Sequence, residues 1–94
     1  MNLLPMHYFI AVAENKGINQ AAKELHIAQQ TLSAHMAAIE RELNCSLFSR
    51  NPNFELTYAG KKFYQYARSF EQAYRSMQQE FADMAEHPFS SLSI

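Results

Sequence analysis

The sequence predicts a mainly α-helical chain, a winged helix-turn-helix head followed by a long dimerisation helix. Three observations carry that expectation. Residues 19–43 show two short amphipathic patterns separated by a break of a few residues. Residues 45–56 read as a small β-hairpin around an Asn-Pro-Asn cluster. Residues 58–86 contain no proline and place apolar side chains at alternating four- and three-residue spacings.

The first helix is expected to begin near Leu4 or Pro5, because proline is tolerated in a first turn. Met6, Phe9, Ile10 and Ala13 form its apolar stripe, and Asn15-Lys16-Gly17 stops it, with Gly17 suited to a left-handed C-cap. Asn19 then has the chemistry of an N-cap, its side-chain carbonyl accepting a free first-turn amide. Ala21, Ala22 and Leu25 give the short second helix one apolar face, and the two small alanines allow the next helix to cross closely. His26-Ile27-Ala28 breaks the pattern, with Ile27 beneath the turn.

Leu32, Met36, Ile39 and Leu43 share one face of the third helix. Gln29, Gln30, Ser33 and Ala37 are left on the solvent side. Asn44 is a second-choice residue for a left-handed cap. The segment 45–50 reads as a brief strand, 51–53 as a turn and 54–56 as the returning strand, with Thr57 capping a new helix.

Phe63, Ala67, Phe70, Tyr74, Met77, Phe81 and Met84 form an a/d heptad seam on that last helix. At roughly 1.5 Å per residue the helix is on the order of 40 Å long, and a head of this size cannot cover the whole seam. The expected partner is the same helix of a second chain. His87-Pro88 ends the helix, and the residues after it look like the start of an extended segment that continues in a longer chain. The expected organisation is a head at 1–57, the long helix at 58–87, and a hinge with the first strand of an absent domain at 88–94.

Composition limits the functions open to such a chain. Ninety-four residues, 48% of them apolar and only two of them glycine, suit one folded domain of modest core. No apolar run has the length of a membrane span and no signal peptide is visible. A lone Cys45 has no internal disulfide partner, which fits a reducing cytoplasm, and it is expected to be buried or half-buried. His7, His26, His35 and His87 lack metal-ligand spacing. Glu40, Glu42 and Glu55 form no acid pair beside a nucleophile, so no catalysis is expected.

Charge gives thin support to nucleic-acid binding. The chain carries eight Lys and Arg against nine Asp and Glu, a formal charge of −1, whereas nucleic-acid binders usually show a basic footprint. Lys16, Lys23, Arg41, Arg50, Lys61 and Lys62 all lie in the first two-thirds, so any such contact belongs there.

Taken together, YFIAVAE (8–14), AAKELHIAQQTLSAHMAAIERELN (21–44), LFSR (47–50) and LTYAG (56–60) resemble the N-terminal domain of LysR-type transcriptional regulators, a bacterial family. The order and spacing of these motifs make the resemblance specific, and it covers nearly the whole chain. It implies a cytoplasmic regulator that binds double-stranded DNA as a homodimer, with tetramers of paired dimers for full-length members. It also implies a small-molecule effector bound by a C-terminal domain, the head itself needing no cofactor.

By the same resemblance the helix after the turn reads DNA. Gln29 matches a base-contacting glutamine, whose amide can pair with adenine N6 and N7 in the major groove. Gln30 stands where the family often has proline or a small residue. Thr31 at the helix start could bind a phosphate with the local amides, and Ser33 matches a phosphate or base contact. Arg50 corresponds to a family arginine near the DNA backbone, with a structural salt bridge as the other reading. His35 has two readings, a DNA contact or a half-buried residue beside the core. Lys61 and Lys62 near the wing are either phosphate contacts or solvated surface. For Tyr64, Tyr66 and Tyr74 packing is favoured over base stacking.

This chain also departs from the family pattern. Ala28 replaces a capping serine, Ala34 and His35 replace a stretch commonly Arg-Gln, Ala37 and Ala38 replace common basic residues, and the wing lacks its usual arginines. Each loss removes a phosphate contact and weakens sequence-independent affinity. A second function follows from those losses, a protein-interaction module that keeps the dimer helix and has weak or lost DNA binding.

Overall fold

Pro5 sits in the first turn of the first helix, where its missing amide hydrogen costs nothing, and α1 spans Leu4–Asn15. There follow α2 (Ile18–Leu25), α3 (Gln29–Leu43), β1 (Phe48–Ser49), β2 (Glu55–Leu56) and α4 (Tyr58–Glu86). The computed structural model describes residues 3–50 and 53–86. The expected hinge at 88–94, the His87-Pro88 stop and Asn51-Pro52 of the wing turn lie outside the described residues.

The first three helices end in the same way. Lys16, His26 and Asn44 each take a left-handed conformation, at φ 54°, 58° and 56°. The amide of each bonds three residues back, and the next amide bonds five residues back: Lys16 to Ala13 and Gly17 to Val12, His26 to Lys23 and Ile27 to Ala22, Asn44 to Arg41 and Cys45 to Glu40. This is the Schellman pattern, which satisfies carbonyls that a helix end leaves open. Asn44 caps α3 as expected. For α1, Lys16 takes the left-handed position expected of Gly17, whose φ of 163° is ordinary extended backbone. Asn19 is likewise not a cap: Gly17 precedes α2, and Asn19 falls inside its first turn.

The core forms where the helices cross. Phe9, Val12, Ala21, Leu32 and Leu47 are almost fully buried, with Ala11, Ala22, Met36 and Ile39 completing the cluster. Because α1 contacts the other three helices, its buried face is wider than one stripe and takes in Ala11 and Val12. Leu43 is 50% exposed, since the last turn of α3 extends beyond the helices beneath it. Cys45 is exposed as well: it supplies the amide that closes α3, at the exit of the helix.

The wing is a two-stranded antiparallel hairpin, with Phe48 opposite Leu56 and Ser49 opposite Glu55. Phe48 packs 5.2 Å from the Phe9 ring and 4.9 Å from Phe54, which ties the wing to the core. Leu47 fixes its base. The Leu47 amide donates to the Glu40 carboxylate at 2.7 Å, and the Leu47 carbonyl accepts the Thr57 amide at 3.0 Å. Thr57 caps α4 as expected, its Oγ1 accepting the Gly60 amide at 3.0 Å while its hydroxyl donates to the Ser46 carbonyl. Gly60 is buried against this junction. A Cβ there would collide with the Leu47 carbonyl oxygen and stand 3.2 Å from Leu56 Cδ2.

The N-terminal half of α4 runs antiparallel to α1. The Phe63 ring lies 4.6 Å from Phe9 and Ala67 is buried, so these first two residues of the expected dimer seam pack on the head of their own chain, because α1 runs alongside this half of α4. Polar ties flank this contact: Tyr64 and Arg68 both donate to Glu14, at 2.8 and 3.2 Å, and His7 meets Glu71 at 3.0 Å. The far half extends past the head and gives the molecule its 58 Å length. Seam residues Phe70, Phe81 and Met84 are 50, 59 and 37% exposed. Tyr66, for which packing was expected, is 66% exposed instead, because it faces neither α1 nor the wing ties.

Two outcomes test this packing. Gly60→Ala should lower stability by about 1–3 kcal/mol, the usual cost of overpacking, seen as a drop in Tm by circular dichroism. Gly17→Ala should stay near neutral, since nothing lies within 4 Å of the added Cβ. The second outcome concerns pH. The Glu14 hydrogen bond, then burial and the Glu14 charge, raise the Tyr64 pKa above its ordinary 10.0, with Arg68 opposing. The folded state therefore holds this proton more tightly than the unfolded state. That stability is complete below pH 10.0 and is lost as pH rises through the raised value. The Tm of the parent should fall more steeply above that pH than the Tm of Tyr64→Phe.

Candidate nucleic-acid interface

Burial of Leu32, Met36 and Ile39 fixes the rotation of α3 and decides which side chains face outward. Gln29, Gln30 and Thr31 are exposed in its first turn, and Ser33 is half-exposed one turn on. No side chain caps this helix at Ala28, so its first amides remain open to an outside acceptor.

These residues occupy two flanks of α3. Gln29 and Ser33, one helical turn apart, line a groove of ≈ 400 Å³ between α3, the wing and the α1–α2 turn. Arg50 and Phe54 form its wing side, and Lys16, Asn19 and Gln20 close it from the turn. Gln30, Thr31 and His35 line a shallow depression on the opposite flank, with Ala34 and Ala38 as its floor. His35 is half-buried, and its ring stands edge-on to Tyr8 with centroids 4.9 Å apart.

Arg50 and Lys61 sit beside the wing. Arg50 is exposed and makes no ion pair among the described residues, so a structural salt bridge does not hold it. Lys61 lines a second cleft of ≈ 530 Å³ with Lys16, Phe54 and Glu55. Lys62 lies outside that lining, its ammonium 5.7 Å from the Tyr58 ring centroid. Among the described residues, no group of three or more His, Cys, Asp or Glu is placed to hold a metal ion. No described helix is long and apolar enough to cross a membrane.

Lys16 is a groove residue that the sequence offered only as one of six cations and as part of a helix stop. The stop signal around it was legible, but a lysine at a helix end gives no hint of where its side chain goes. It takes a left-handed conformation and lines both clefts. Asn19 and Phe54 were assigned structural parts only, and both face the groove.

Known proteins share this arrangement. Residues 3–61 match the family model described as a bacterial regulatory helix-turn-helix protein of the lysR family. The chain is 42% identical over 69 residues to the HTH-type transcriptional regulator TfdT of Cupriavidus pinatubonensis, covering 72% of this chain and 30% of that protein. It is 32% identical over 96 residues to the HTH-type transcriptional regulator BsdA of Bacillus subtilis, covering all of this chain and 33% of that one. This chain thus spans about a third of the length of these relatives. Among solved structures, the BenM_DBD/benA site 1 DNA complex superposes with a TM-score of 0.86 at 33% identity, covering 93% of this chain and 99% of that chain.

The link between groove and wing can be tested at Glu40. Glu40→Ala strands the Leu47 amide and should cost about 1–3 kcal/mol, the penalty of an unsatisfied donor. Glu40→Gln keeps an acceptor oxygen and should retain most of that stability. Chemical denaturation of the two variants beside the parent measures the difference.

Proposed function

This chain belongs to the lysR family of bacterial regulatory helix-turn-helix proteins, and from that premise we propose that it is a sequence-specific DNA-binding head that reads the major groove as a homodimer on an interrupted palindrome. The observation that carries the reading is the two-sidedness of α3. Leu32, Met36 and Ile39 are sealed into the core, while Gln29 and Ser33 on one flank and Gln30 and Thr31 on the other are left outward along the first turns of an uncapped helix. A glutamine amide there can pair with adenine N6 and N7, and Thr31 with open amides can take a phosphate.

The far half of α4 supplies the dimer contact through Phe70, Tyr74, Met77, Phe81 and Met84. Two linked heads offset the thin charge of each, because the second binding event becomes intramolecular. Half-sites then lie about one helical turn, ~34 Å, or a multiple of it apart. In a longer chain the effector domain would bind the small molecule and assemble dimers into tetramers, in the bacterial cytoplasm where the DNA is.

Selection from randomised duplex DNA at low and at near-physiological salt tests this function. The expected result is enrichment of an interrupted palindrome, reduced by at least tenfold in affinity for the Gln29→Ala/Ser33→Ala variant. Enrichment of nothing at either salt, with the chain still dimeric, would replace DNA reading with the interaction-module function.

A further inference from the structure

A recognition helix in the major groove and a wing in the neighbouring minor groove must straddle one sugar-phosphate strand. In this molecule the space between α3 and the wing is the ≈ 400 Å³ groove, so the strand would lie in it. Of the residues that line it, Lys16 and Arg50 are the cations, and none is acidic. None of the acids near Lys16 is ion-paired with it among the described residues, although Glu55 lines the neighbouring cleft with it. Glu14 accepts from Tyr64 and Arg68 on α4, and Glu24 accepts from Asn15.

Lys16 is unlike the other lysines in two respects. Its backbone is left-handed at φ 54°, a conformation that L side chains other than Asn and Asp adopt rarely, although Gly17 stands beside it. It also lines both the groove beside α3 and the cleft behind the wing, which marks it as the ridge between them. A cation on a ridge between a major-groove element and a minor-groove element faces the phosphates that separate those grooves.

We propose that Lys16 is a phosphate-anchoring residue, clamping the DNA strand between recognition helix and wing from the side opposite Arg50. This rests on the DNA-reading function above and adds a residue to it. The contact is to the backbone, so it sets the depth and register of the head without choosing bases. It also recovers part of the positive charge missing from the wing itself.

The test is the salt dependence of binding by the 94-residue chain to its selected duplex and to a scrambled duplex. Lys16→Asn and Lys16→Gly remove the charge and keep residues that tolerate the left-handed backbone, so folding is preserved in at least one of them. Each should weaken both duplexes by the same factor and reduce the slope of log affinity against log salt by about 0.9 per head, the release of one counterion. Lys16→Arg should restore the slope, and Lys23→Gln, on the exposed side of α2, should leave it unchanged. An unaltered slope in both charge-removing variants, with Gln29→Ala still losing the selected duplex, would overturn the anchor and leave DNA reading intact. Failure of the parent chain to bind either duplex at low salt would overturn both.

Discussion

Leu47 is the residue at which the three functional parts of the molecule meet. Its amide is held by a carboxylate from α3, its carbonyl receives the amide that starts α4, and its side chain is 1% exposed in the core between them. Recognition helix, wing and long helix are therefore not three bodies joined by loops. A displacement of any one must break a hydrogen bond at Leu47 or leave a buried polar group without a partner, which costs more than an exposed bond gains. Gly60 completes the constraint by leaving room for that carbonyl.

The same economy governs the connections. Three successive helices close with one motif, which uses only the local chain and needs no long loop. Short connections leave little slack, so the rotation of α3, and with it the direction of Gln29 and Ser33, is set by Leu32, Met36 and Ile39 in the core. The outward chemistry of α3 is a by-product of apolar packing on the far side of the same helix.

Much of this was legible in the sequence, because apolar spacing and capping chemistry are local signals. The faces of α3, the Asn44 and Thr57 caps, the hairpin and the span of α4 all follow from them. The residues that misled are those whose role depends on a neighbour distant in sequence. Gly17 looked like the left-handed residue, but the closing bonds of α1 put Lys16 there. Asn19 had the chemistry of a cap and lies two positions too far along. Leu43 carries the right spacing, but no element lies beneath it. The crowding at Gly60 had no local signal, since nothing near it in sequence announces a carbonyl arriving from the wing. The division of α3 into two flanks was equally hidden, because it depends on where the wing and Tyr8 stand.

His7 ties the head to Glu71 of α4, and beyond that point the helix runs on through Glu86 with only Tyr74 and Met77 half-buried among the described residues. A stretch of that length is near the limit at which a helix holds together in water without cover. Whatever binds its apolar side therefore adds to its stability by mass action. The helical order of this outer half is a reading of how crowded the solution is with partners.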